Sequence, residues 1–162
     1  MESRVKFLGH PVHQMLVGLP FGVLAMSFIF DLVAGFRDSI GLFKAAQYMI
    51  AAGVVAGLIA AIFGLIDFLA IPGGTRAKRV GRMHGLGNVV VIVLFAASWL
   101  LRRDHPGDPG TLPVVLSGVA FALAGVTGWL GGELVDRLSV GVDDGAHLNA
   151  PSSLSGKPAR TR

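Results

Sequence analysis

The chain has 162 residues, of which 52% are hydrophobic and only 15% charged, and its mean hydropathy is +0.66. Soluble domains carry about 25% charged residues, so this composition excludes an ordinary soluble globule. The net charge of +4 is spread over segments that flank apolar runs, which points to lipid headgroups and membrane topology rather than nucleic acid. No cysteine is present, which excludes disulfides, thiolate-bound metals and cysteine nucleophiles.

Residues 1–8 form a short basic lead with Arg4 and Lys6. Gly9-His10-Pro11-Val12-His13 then opens into the first apolar run, expected over about 11–35. Pro11 suits the first helical position, which makes His10 the expected cap and places His13 one turn in on a similar face. Pro20 removes a backbone donor and predicts a kink, and Gly18 and Gly22 beside it predict close helix approach. The run is too long for a cleaved signal and reads as an anchor. Asp31, 18 residues beyond His13, lies about 27 Å along the helix and is expected as an interfacial carboxylate near Arg37.

Residues 36–43 read as a turn, followed by a second span over about 44–71 with Gly53-x-x-x-Gly57 as a packing face and Asp67 in its last turns. Residues 75–82 read as a basic loop with Arg76, Lys78, Arg79 and Arg82. The third span is expected over about 84–101; within 89–101 the only non-apolar side chain is Ser98, whereas a soluble bundle helix would carry a polar stripe. The fourth is expected over about 113–135, capped by Thr111. Residues 1–142 make one domain, and 143–162 read as a flexible tail, disordered at least after Pro151. No internal repeat is convincing.

The predicted fold is all-α: an integral membrane four-helix up-and-down bundle, each run long enough to cross a hydrocarbon layer about 30 Å thick. The side with the termini and residues 75–82 carries more Lys and Arg, so both termini are expected in the cytoplasm and the protein in the cytoplasmic (inner) membrane. This topology puts His10, His13, Asp67, His84, Asn88, Glu133 and Asp136 near one membrane face. Ionisable groups there cost a few kcal/mol each unless paired, turned inward or bound to something.

Several readings follow. The first is haem b, with His13 and His84 on diagonal helices as axial ligands, His10 nearby, and Arg76, Arg79 or Arg82 on the propionates; the protein would be a small electron-transfer or redox subunit. A second is a divalent metal held by His10, His13, Asp67, His84 and Glu133, although the helical metal motifs are missing. A third is a polar lock that fixes helix order in an interaction protein or homo-oligomer, with no cofactor. Proton or ion transfer through Asp67 and Glu133 would need an oligomer, since four short helices enclose no pore. Catalytic triads, phosphate loops and dinucleotide fingerprints are absent, so catalysis is not expected outside a redox role.

Three stretches have a familiar form: Gly9-His10-Pro11-Val12-His13-Gln14-Met15-Leu16-Val17, Gly64-Leu65-Ile66-Asp67-Phe68, and Gly128-Trp129-Leu130-Gly131-Gly132-Glu133-Leu134-Val135. With Leu19-Pro20-Phe21-Gly22, Asp31-Leu32 and the segment from His84 to Asn88, they resemble the bacterial membrane proteins of domain-of-unknown-function family 2231. The resemblance implies a four-helix membrane domain with no assigned activity, fused in some relatives to a Rieske-type iron–sulfur domain, which favours redox work. The family tends to carry a histidine shortly after the Leu-Val pair; Asp136-Arg137-Leu138-Ser139 stands here instead, which weakens a haem assignment that would need it.

Overall fold

The computed structural model describes residues 1–159. A two-residue hairpin comes first: β1 (Lys6–Phe7) pairs antiparallel with β2 (His10–Pro11). Leu8 and Gly9 between them both take positive φ (51° and 87°), the twist that a two-residue hairpin turn needs. His10 therefore lies in a strand, and Pro11, extended, takes the N-cap position.

The first span is α1 (Val12–Leu16) and α2 (Gly18–Arg37), broken at Val17. The break lies one turn before Pro20, where the carbonyl of Leu16 meets no N–H. A left-handed Asp38 ends α2, and α3 (Ile40–Ala70) starts two residues later. The turn expected over 36–43 thus shrinks to Asp38 and Ser39, because α2 runs on to Arg37 and α3 begins early.

Helix α4 (Arg76–Leu101) also begins early. Thr75 caps it, its Oγ1 accepting from the N–H of Lys78 at 3.1 Å. The basic stretch expected as a loop is therefore the first two turns of the third span. Helix α5 (Thr111–Gly132) follows, with Gly110 rather than Thr111 at the N-cap, and continues into a π-helical turn at Glu133–Arg137.

The four spans form an up-and-down bundle. The first packs on the second and the third on the fourth most extensively; second with third and first with fourth close the ring. All four are long and apolar enough to cross a membrane. The middle of each is apolar all round, so outward residues such as Leu19, Leu58, Val93 and Val119 are exposed to what would be lipid. Leu24, Ile50, Val91, Phe95 and Ala120 form the inner cluster, with every span contributing.

Glycines allow the close approaches. A methyl group at Gly53 would stand 2.5 Å from Leu24 Cγ, and one at Gly57 2.6 Å from Ile92 Cδ1. Gly18 and Gly22 have nothing within 4 Å of such a methyl, so the packing role expected of them belongs to the second span.

Burial reveals a repetition. One constant shift carries buried Pro20, Leu24, Ser27 and Asp31 of the first span onto buried Val91, Phe95, Ser98 and Arg102 of the third. Another carries Ala46, Ile50, Gly53 and Ala60 of the second onto Pro113, Ser117, Ala120 and Thr127 of the fourth. The molecule is two helical hairpins built on one plan, although few of these pairs share a residue type.

Candidate functional site

His13 and His84 occupy equivalent places in this repetition. The Nδ1–H of His13 donates to the carbonyl of Ala60 on α3 at 2.9 Å. The Nδ1–H of His84 donates to the carbonyl of Thr127 on α5 at 2.8 Å. Four residues beyond each acceptor stands a glycine on which the imidazole lies. A methyl group at Gly64 would meet His13 Cε1 at 2.7 Å, and one at Gly131 would meet His84 Cε1 at 3.1 Å. Each hairpin is thus tied by one half-buried imidazole lying against the backbone of the next helix.

The proton positions follow from chemistry. A carbonyl only accepts, so each Nδ1 carries a hydrogen. At His84 the other nitrogen accepts from Asn88 Nδ2 at 3.1 Å, which makes that ring neutral, with its lone pair on Nε2. Asn88 is held in turn by the hydroxyl of Thr127, which donates to Oδ1 at 2.9 Å. Nε2 of His13 has no hydrogen-bond partner among the described residues.

The other polar residues at this end separate into pairs. Ser3 Oγ reaches both oxygens of Asp67 (2.9 and 2.7 Å), and the N–H of Arg4 donates to Oδ1 at 2.7 Å. Asp67 anchors the N-terminal segment and faces neither histidine's ring nitrogens. Glu133 pairs with Arg76 at 2.5 Å. His10 is exposed, with Nε2 3.4 Å from Ser153 Oγ. Among the described residues no three His, Asp or Glu gather as a metal shell, so the five residues considered for a divalent ion do not form one cluster.

Arg79 and Arg82, expected near propionates, are exposed. At 100° per residue they stand off the face of His84, which buried Val80 and Gly81 share one turn earlier. Lys78 is used internally, donating to the carbonyl of Phe68 at 2.7 Å with its ammonium 4.0 Å from the centre of that ring.

The N-terminal segment also ties to the chain beyond the fourth span. The N–H of Gly141 donates to Met1 O at 2.9 Å, and Gln14 Nε2 to Val140 O at 3.3 Å. Lys6 binds both Glu2 and Asp143. Hydrogen bonding to Asp143 and then Glu2 holds the Lys6 ammonium above the ordinary lysine range. The bond from Lys6, with the N–H of Asp144, holds Glu2 below the usual carboxylate range. Residues up to Asp144, expected in part as free tail, thus belong to a cap over this end.

The opposite end holds the residues that sequence reasoning missed. Asp31 does not face Arg37: it receives two hydrogen bonds from Arg102, at 2.7 and 2.9 Å, and both side chains are fully buried. Arg102 also donates to Ser98 Oγ at 3.0 Å, and Ser98 in turn meets Ser117 and the carbonyl of Pro113. Ser98 was visible as the single polar break in an apolar run; nothing in the sequence linked it to Asp31.

Four apolar spans closed around buried polar ties, with one imidazole per hairpin, define a polytopic helical membrane protein. The chain belongs to the family described as "Predicted membrane protein (DUF2231)", which matches residues 9–144. No curated protein and no solved structure matches the chain.

Proposed function

We propose that this protein is a small redox subunit of the bacterial inner membrane that holds haem b between His13 and His84. The supporting observation is the matched orientation of the two imidazoles: each gives its Nδ1 proton to a carbonyl of the neighbouring helix, which leaves Nε2 of His13 without a partner among the described residues and Nε2 of His84 against the Asn88 amide. Metal-ligating histidines are oriented in this way, by a bond from the other ring nitrogen to a carbonyl or carboxylate. The donor set suits haem iron better than a bare divalent ion, because His13 and His84 would be enough protein ligands to hold a haem whereas a bare ion would need further ones. When bound, haem supplies one-electron transfer; the helices supply orientation and an apolar surround.

Arg79 and Arg82 serve anionic headgroups in this reading, since they stand off the histidine face. With Arg4 and Arg137 they support a topology with both termini on the cytoplasmic side. A redox partner or a second copy of the chain would dock within the membrane.

A second reading is favoured by one contact. Asn88 already occupies Nε2 of His84, as it would if the histidines were interhelical ties in an interaction protein without a cofactor. Absorption spectra of detergent-purified protein, from cells supplied with a haem precursor, separate the two. The haem reading expects a Soret band that His13→Ala and His84→Ala abolish. Wild-type protein with no Soret band, whose variants lose only thermal stability, would leave the tie reading.

A further inference from the structure

The two histidines match in every contact but one. Both Nδ1 atoms are spent on carbonyls, both rings lie on glycines, and both sit at equivalent places in the repeated hairpin. They differ at Nε2, which is unpartnered in His13 among the described residues and held by Asn88 in His84. The shift that carries His13 onto His84 carries Val17 onto Asn88. Valine has no donor, so the difference between the two imidazoles resides in this one position.

Asn88 is itself fixed. With its proton on Nδ1, the neutral His84 ring offers only a lone pair at Nε2, so Nδ2 and not Oδ1 of Asn88 faces it; the Thr127 hydroxyl, which also lies 3.1 Å from the carbonyl of Ala124, meets Oδ1 at 2.9 Å. Those contacts join His84, Asn88 and Thr127 in a closed ring of hydrogen bonds through side chains and the Thr127 carbonyl. Before His84 can offer its lone pair to iron, the Asn88 amide must turn away.

We propose that Asn88 is a positioning residue that holds His84 in reserve, so that iron is bound first by His13 and only afterwards by His84. This rests on the haem reading above. One neutral hydrogen bond contributes modestly to stability, so its loss to the incoming iron should weaken the second ligation about three- to tenfold.

The test is a haemin titration of the full chain in detergent, followed by absorption and electron paramagnetic resonance. Wild-type protein is expected to form a five-coordinate high-spin adduct that converts to a six-coordinate low-spin one. Asn88→Val, which copies the first hairpin, should become low-spin in one step, with half-saturation about three- to tenfold lower. Thr127→Val keeps Asn88 but frees its amide, and should fall between; it carries the test if Asn88→Val does not fold. His84→Ala should stop at the high-spin adduct. One-step low-spin binding that is the same in wild type and in the Asn88 and Thr127 variants would overturn the reserve role and leave haem binding intact. Failure of all of them to bind haemin would overturn both.

Discussion

Asp31 and Arg102 form, among the described residues, the only ion pair with no exposure on either side. They are also equivalent positions of the two hairpins, so the repetition brings opposite charges together across the bundle at the end away from the termini. The pair is two-pronged and backed by Ser98 and Ser117, while Arg102 Nε has no partner.

Removing one member leaves the other charge buried and unpaired, which costs about 3–5 kcal/mol. Arg102→Met should therefore lower the unfolding temperature in detergent sharply. Asp31→Leu combined with Arg102→Met should recover most of the loss, because apolar pairs often replace buried ion pairs without penalty. Arg102→Lys should fall between, as it keeps the charge but not the fork. An additive double variant would show that the two side chains act separately.

A second expectation concerns the glycines under the imidazoles. A methyl group at Gly64 would stand 2.7–3.1 Å from three atoms of the His13 ring, whereas one at Gly131 would meet two atoms of His84 at 3.1 and 3.4 Å. Overpacking typically costs about 1–3 kcal/mol, so Gly64→Ala should destabilise more than Gly131→Ala. Thermal unfolding of the two variants in one detergent gives the order directly.

Asp67 should behave as an anchor. Asp67→Ala removes three acceptor contacts and leaves the buried hydroxyl of Ser3 with only the backbone of Val5. Hydrogen exchange is expected to rise across residues 1–11 while the spans stay protected. Unchanged exchange there would show that the hairpin is held by other contacts.

The Lys6 bridge sets a pH window for the cap. Glu2 titrates below its ordinary 4.5 in the folded chain, so its contribution is present above that value and is lost as pH falls through the depressed one. Lys6 titrates above its ordinary 10.5, so its contribution is complete below that value and is lost as pH rises through the elevated one. Exchange protection at residues 1–7, taken relative to the intrinsic rate at each pH, should be greatest between these limits and fall at both extremes. Lys6→Met should remove the alkaline limb and weaken the acidic one, which the Asp144 N–H still supports, with little effect on global stability because the bridge lies at the solvent-facing rim.

Much of the fold was legible in the residues. The four apolar runs and the Gly53–Gly57 face are local statements about solvation and size, and the break before Pro20 follows from a missing donor. Element starts were less legible. The first two turns of α4 carry Arg76, Lys78, Arg79 and Arg82 and resemble a loop, yet a helix entering a headgroup layer has reason to place such groups there. At the site, the sequence singled out His13, His84 and Asn88 but also gathered Asp67 and Glu133, which the structure gives to Ser3 and Arg76.

By itself, the sequence determined that this chain lives in lipid as four rods, since the cost of leaving backbone or charge unsatisfied in hydrocarbon allows few alternatives. Only the tertiary structure decided which polar group meets which. A helix apolar all round does not encode its own rotation, so neither the partner of Asp31 nor the acceptors of the two histidines follow from spacing. The repetition of the hairpins was hidden for the same reason: packing conserved the pattern of buried positions while the residue types diverged.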